Sequence, residues 1–550
     1  MLADWVLSWP ILFPILGAAL MLLIAPRMPA RIRAWLPIIF IAIEIILIAV
    51  NAAPGRHRLV ISDWATGSFT ILLQMDGVTW LLLLTMFVPI VALWLIAAPR
   101  KPFDWLAILI LTASILLTCA GNLITAFMAW TLLDVSTFFW RLARHIERDT
   151  ALRGFVIGQT MGLVLFAGTV LVASKQSDVG VIFVALAFWA RLGLFPFHYL
   201  LPTRGTDASD LWFARGIPLI TASSLWLHWS IVGVLAPSAF IGTLATLAII
   251  ASMIWIWRAS VPTSTTSQTQ LDSSDASMEL PTRAAGVALT SAFALIPLMI
   301  AFGGGTGVAM GLWLTLAAVI ALALFEIAKR WRADNLNRWN RLIWFAAILS
   351  LAGLPLTPAF LGRLGVYVAL WESNNSIVML VIGAATLLIL APMWNIGFAL
   401  KGGELREPTR VEYAGLVVIL LTTAALSLLP MLITRALSSA VSESYERSMD
   451  LVIRTNDALG VGLGIVILIV PVVGSYFLST WLYRFRPRPG ALVLRTARVI
   501  DLDWGERMVS AIGLSISAAA RAGAAIAEEN PIVWILFIAL WVAIFIIIAP

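Results

Sequence analysis

Charge is scarce in this chain. Only 12% of its 550 residues are Asp, Glu, Lys or Arg, while 61% are hydrophobic and the mean hydropathy is +0.97. A water-soluble protein of this length could not hide so much apolar surface. Cysteine is rarer still. Cys119 is the only one, which excludes an intrachain disulfide and a cysteine-built metal or iron–sulfur site. The four histidines are widely scattered and form no motif for haem or metal. The sequence also lacks a Gly-rich nucleotide loop and a Ser/His/Asp constellation. No cofactor, metal, redox or hydrolytic site is therefore assigned to this chain. The N-terminus has no basic stretch ahead of its first apolar run, which reads as a retained span rather than a signal peptide. The net charge of +7 fits loops on one side of a membrane better than a nucleic-acid partner.

What the sequence has in abundance is apolar runs of spanning length. They fall near 8–26, 33–53, 77–97, 104–121, 122–140, 151–173, 179–200, 215–234, 238–258, 285–302, 306–328, 341–371, 376–400, 412–434, 458–484 and 531–549. The expected fold is an all-α polytopic membrane protein of about sixteen transmembrane helices. The run at 341–371 contains Gly353, Pro355 and Pro358, so a broken helix is expected there; irregular backbone at depth is tolerated where it lines a polar cavity. Basic residues collect on alternate loops, for example Arg27, Arg31 and Arg33, then Arg100 and Lys101, then Arg141, Arg144 and Arg148. The positive-inside rule puts these loops in the cytoplasm and both termini on the other side, in a multi-pass protein of the bacterial cytoplasmic membrane. The Ser/Thr-rich stretch 259–284 reads as a flexible cytoplasmic linker. Residues 504–528 read either as an amphipathic helix on the membrane surface or as an ordinary connector helix.

Ionisable residues inside apolar spans are costly and mark candidate sites. Arg191 lies past the middle of the seventh run, before the corner Pro196-Phe197-His198. It can bias a proton site but cannot carry a proton, because arginine does not deprotonate in proteins. Asp134, in the fifth run, is its proposed partner; the alternative is a carboxylate near the interface that pairs with Arg141. On an unbroken helix His198 would lie two turns beyond Arg191 on the same face; it reads either as a cap or as a proton-path group, as does His228. Glu44 sits well inside the second run and must face protein or be neutral. Glu326 and Lys329 are spaced for a snorkelling ion pair at the end of the eleventh run. Arg363 follows the proline-broken segment and marks a polar cavity.

Several stretches together carry a family resemblance. Leu72-Leu73-Gln74-Met75-Asp76-Gly77 opens the third span; Phe195-Pro196-Phe197-His198 through Leu201-Pro202 forms a corner; Ser350 through Pro355 and Ala359 through Arg363 flank the broken helix. Leu502-Asp503-Trp504 and Glu528 through Trp534 are weaker matches. On these the chain resembles the antiporter-like membrane subunits of respiratory complex I (NADH:quinone oxidoreductase), which are similar to subunits of multisubunit cation/proton antiporters. The resemblance implies two inverted five-helix repeats with broken helices. It divides the chain into N-terminal helices (1–120), a first repeat (121–258), the linker (259–284), a second repeat (285–434) and C-terminal helices (435–550).

The resemblance also implies a polar axis of glutamate and lysines, and here the chain departs from the family. Thr131 follows Trp130 where the family has glutamate, with Asp134 one turn later. Arg191 stands at the lysine before the corner. Ile220 and Ala321 stand at two further lysine positions, and Arg363 at the exit. The leading expectation is a membrane-arm subunit of a complex I-like assembly, placed where protons move during quinone reduction but impaired as a pump by the arginines. The rival expectations are a non-pumping scaffold subunit and a subunit of a multisubunit cation/proton antiporter. Each implies other membrane subunits and the lipid bilayer as partners.

Overall fold

The computed structural model describes residues 2–24, 27–50, 57–62, 70–96, 105–144, 148–174, 177–195, 197, 212–235, 238–260, 274–333, 337–355, 357–399, 408–428 and 458–485. His198, the stretch 504–528 and the run 531–549 lie outside the described residues.

Helices dominate because each apolar run must satisfy its own backbone hydrogen bonds. In chain order they are α1 (Leu2–Leu23), α2 (Ala30–Val50), α3 (Gly77–Ile96), α4 (Trp105–Thr118), α5 (Leu123–Ala143), α6 (Arg148–Ala173), α7 (Ser177–Arg191), a π-helical turn Trp212–Gly216, and α8 (Ile217–Ile231). There follow α9 (Ala239–Ser260), α10 (Ser274–Ala333), α11 (Asn337–Ala352), α12 (Ala359–Glu372), α13 (Ser376–Ala399), α14 (Arg410–Leu428) and α15 (Ala458–Phe485). Among the described residues, nine helical segments are long and apolar enough to cross a membrane, and four shorter ones are apolar too. The chain is a polytopic helical membrane protein, as its composition requires. The start of α10 at Ser274 lies within the stretch 259–284.

The helical span α10 contains two membrane segments, Ala284–Phe302 and Gly307–Trp331. In a straight helix Ile296 and Gly311 would be about 22 Å apart. A Cβ built on Gly311 lies 3.5 Å from Cγ2 of Ile296, so the chain doubles back between the two segments. The second is wholly buried, and α10 packs against α3, α8, α9, α11, α12 and α13. It is the central post of the bundle. Its apolar interior still holds hydroxyls, which bond within their own helices. Thr290 donates to the Gly286 carbonyl (2.9 Å) and Thr315 to that of Gly311 (2.8 Å), which removes the cost of burying an unpaired donor.

One element has no counterpart in the run pattern. β1 (His57–Ser62) and β2 (Ile71–Met75) form an antiparallel hairpin between the second and third apolar runs. Its β-branched residues Val60 and Ile71 suit a strand. The hairpin is stitched to the helix ends behind it. Gln74 N–H donates to the Cys119 carbonyl (2.7 Å), Gly121 N–H to that of Leu72 (2.8 Å) and Leu72 N–H to Thr125 Oγ1 (2.9 Å). Asp76 then caps α3 by accepting from Thr79 N–H (2.9 Å).

Two helix breaks use the same local device. α7 stops at Arg191 because Gly193 takes φ +62°, and Leu194 N–H bonds back to the Trp189 carbonyl (3.4 Å) while Gly193 N–H bonds to that of Ala190 (3.0 Å). α11 stops at Ala352 because Gly353 takes φ +77°, with Leu354 N–H on the Leu349 carbonyl (3.4 Å). A glycine in the left-handed region is what such a C-terminal cap requires. The seventh run is therefore not helical to residue 200, and Arg191 stands at a helix end rather than inside a span. The two-turn register proposed for His198 depended on a helix that stops seven residues earlier.

Candidate functional site

The site forms where α5, α6 and the end of α7 meet. Arg191 Nη1 donates to Asp134 Oδ1, forming an ion pair whose side chains are only 8% and 10% exposed. The guanidinium carbon also lies 4.6 Å from the centre of the Trp130 ring, one turn before Asp134 on α5. Gln159 Nε2 approaches Asp134 Oδ2 at 3.4 Å. Arg191 occupies the last residue of α7, where the negative end of the helix dipole favours a cation. The carboxylate, the helix end and the aromatic face thus all compensate one charge.

α6 makes room for this arrangement with glycines four residues apart. A Cβ on Gly158 would lie 2.5 Å from Asp134 Oδ2; one on Gly154 would lie 3.1 Å from an Arg141 nitrogen; one on Gly162 would lie 3.5 Å from the Trp130 ring. The stripe runs antiparallel to Trp130, Asp134 and Arg141, so each glycine faces one functional side chain. Trp130 Nε1 closes the contact by donating to the Gly158 carbonyl (3.0 Å). Small residues at such spacing let helix backbones approach closely in a membrane.

A cavity of about 80 Å³ opens beside the pair, lined by Asp134, Thr137, Arg141, Arg191, Gly158 and Pro218 among others. That is room for several waters. Thr137 Oγ1 and Arg191 Nε are buried there with no hydrogen-bond partner among the described residues, and water would satisfy both. Within this cavity Asp134 is the group that can gain and lose a proton, and Arg191 can only bias it.

The other sequence candidates lie elsewhere. Arg363, 6% exposed, stands near the start of α12, with Nη1 3.1 Å from Thr386 Oγ1 on α13. Glu44 is 2% exposed on α2, which packs against α1 and α3, and neither carboxylate oxygen has a hydrogen-bond partner among the described residues. His228 is buried near the end of α8 with its ring edge-on to Trp229 at 5.2 Å. Glu326 is buried on α10, and Lys329 lies three residues on. None of Glu44, His228, Glu326 and Lys329 lines the Asp134 cavity. The glycine stripe, Gln159, Thr137 and Thr386 were not singled out from the sequence. The spacing Gly154, Gly158 and Gly162 was the one available signal among them; the neutral polar residues offer none until the helices are packed.

No protein-family model and no curated protein sequence matches the chain. Solved structures do. A chain of the membrane-bound sulfane sulfur reductase, an archaeal respiratory membrane complex, matches with a TM-score of 0.66 at 15% identity, over 98% of this chain and 99% of that one. A chain of respiratory complex I from Thermus thermophilus matches at 0.64 and 17% identity, over 80% of this chain and 99% of that one. A chain of the Mrp complex from Dietzia sp. DQ12-45-1b matches at 0.63 and 14% identity, over 94% of this chain and 62% of that one. At such identities the likeness is one of fold. The chain has the fold of the antiporter-like membrane subunits, the one that its sequence motifs resemble.

Proposed function

We propose that the chain is a membrane-arm subunit of a complex I-like respiratory assembly in a bacterial cytoplasmic membrane, and that it takes part in proton translocation coupled to quinone reduction. One observation carries this reading: a buried Asp134–Arg191 pair beside a cavity large enough for water, inside an apolar bundle. The fold likeness to chains of two respiratory complexes supports the context. Ionisable groups at membrane depth are retained mainly along ion pathways. In this reading Asp134 is the proton-exchanging group. Making and breaking the pair with Arg191 would bias the exchange of its proton with the cavity water. Membrane subunits and lipid are the partners. The outer helices α14 and α15 have much of their apolar surface open to receive them, with 22% and 28% of their span windows buried.

The test is proton flux in the reconstituted assembly with Asp134→Asn. The reading expects the number of protons moved per electron to fall. An unchanged stoichiometry with normal assembly would overturn it and leave the second reading, a non-pumping scaffold subunit. That alternative is favoured by a specific observation. Both helix breaks carry arginine, which cannot exchange protons, at Arg191 and Arg363. A third reading, a subunit of a multisubunit cation/proton antiporter, is supported by the likeness to the Mrp complex. It expects sodium-dependent proton movement without quinone turnover.

A further inference from the structure

We propose that the chain binds an anionic phospholipid of the cytoplasmic leaflet, with the lipid phosphate on Arg341 and the acyl chains along the outer face of α15. This surface is separate from Asp134, and it stands whether or not the chain moves protons.

Three apolar helical stretches reach one membrane boundary here: α11 from Asn340, α13 to Phe398 and α15 to Trp481. The sequence around that boundary is basic. Arg338 precedes Arg341, and Arg484, Arg486 and Arg488 follow Trp481 with no acidic residue before Asp501. The positive-inside rule makes this the cytoplasmic side, whose anionic lipids attract basic residues. Arg341 is exposed at the boundary, and its guanidinium carbon lies 5.5 Å from the centre of the Phe345 ring and 5.1 Å from that of Phe398. The rings are themselves held in place. Phe345 lies 5.5 Å from Phe398 and 5.1 Å from Trp394, and Phe398 lies 5.9 Å from Tyr476. Trp394 Nε1 on α13 donates to Ser475 Oγ on α15 (2.9 Å). An aromatic platform shared by three helices thus orients the guanidinium through cation–π contact before any ligand arrives. A guanidinium held in this way can give two parallel N–H bonds to a phosphate.

The outer face of α15 suits the rest of the lipid. Val466, Val470, Val473 and Phe477 recur every three or four residues, which puts them on one side of the helix, and all four are exposed. The stripe spans about 16 Å, close to the depth of one leaflet, about 15 Å. It ends beside Tyr476 and Trp481, both exposed, and such amphipathic rings settle at headgroup level. A helix of another protein would be the rival occupant. Helix contacts in membranes favour small residues, and this stripe has none. The headgroup is selected by charge: a zwitterionic lipid would bring an ammonium group to a boundary that is already basic, whereas an anionic one brings only the charge that Arg341 complements.

The experiment uses the full chain in its purified assembly, placed in nanodiscs that hold dioleoylphosphatidylglycerol and dioleoylphosphatidylcholine in equal parts. Native mass spectrometry after release into detergent then counts the lipids retained. Wild type should keep phosphatidylglycerol in preference to phosphatidylcholine. Arg341→Gln should keep one phosphatidylglycerol fewer, its affinity for that lipid lowered about tenfold. Arg341 is exposed, so the substitution spares the packing. Should the variant still fail to assemble, Phe398→Leu removes one of the two rings beside the guanidinium and should lower the same retention several-fold. Equal retention by wild type and variant, or no preference for phosphatidylglycerol in wild type, would overturn the proposal. So would a density map of the assembly with a protein carboxylate against Arg341, which would make this surface a subunit interface.

Discussion

The two helix breaks begin alike and end differently. Each stops a helix with a glycine in the left-handed region, at Gly193 and at Gly353. Each places an arginine nearby. At the first break the arginine is the last residue of its helix and meets Asp134, the face of Trp130 and the negative helix end. At the second, the arginine lies just inside the next helix, near the positive end, and meets the hydroxyl of Thr386. The local fold of the backbone is thus repeated while the electrostatic solution is not. Position relative to the break decides it: before the break a cation is stabilised by the helix that carries it, and after the break it is not.

Charge removal should separate the two breaks most sharply. Arg191→Ala leaves Asp134 buried without its partner and should cost about 3–5 kcal/mol, read as thermal or chemical unfolding of the purified assembly. The double variant Asp134→Asn with Arg191→Gln should recover most of that loss, because it removes both charges together. Recovery absent from the double variant would mean that the pair acts through packing rather than charge. The glycines sharpen the comparison at a smaller scale. Alanine at either position forces a left-handed conformation, at about 1–2 kcal/mol. Gly353→Ala should add a clash to this strain, because its Cβ would also lie 2.8 Å from Arg363 Cδ and 3.1 Å from the Ala359 carbonyl oxygen. Both are read as shifts in the unfolding midpoint. The smallest effect belongs to Gln159→Leu. Its contact with Asp134 is long, 3.4 Å, and its loss should cost under about 1 kcal/mol. A larger loss would place Gln159 alongside Arg191 as a main support of the carboxylate.

Much of the fold was legible because the membrane leaves few choices. Apolar runs become helices, and Gly353 with Pro355 and Pro358 marks the break in the run 341–371. The partnership of Asp134 with Arg191 was legible because charge is so rare here that the few buried charges have few possible partners. The rest depends on information that no run pattern holds. The apolar sequence continues past Arg191, so the end of α7 was placed nine residues late; only the glycine conformation reveals it. The hairpin at His57–Met75 competes with no hydrophobic period and shows its strands through their bonds to Cys119, Gly121 and Thr125. Thr386 and Ser291 are neutral residues in apolar helices, and they acquire meaning only when α12, α13 and α10 bring them to Arg363.

The glycine stripe on α6 sets how tightly the buried charge is sealed. Helices usually stand about 8–10 Å apart because side chains interdigitate across their contact. Opposite Trp130, Asp134 and Arg141, α6 presents glycines instead, while Phe155 stacks on Phe138 of α5 at 4.7 Å beside them and holds the register. A side chain at 158 would already stand 2.5 Å from the carboxylate and would wedge the two helices apart. The stripe is thus the gasket of the site: it lets backbone, rather than side chain, close over the ion pair.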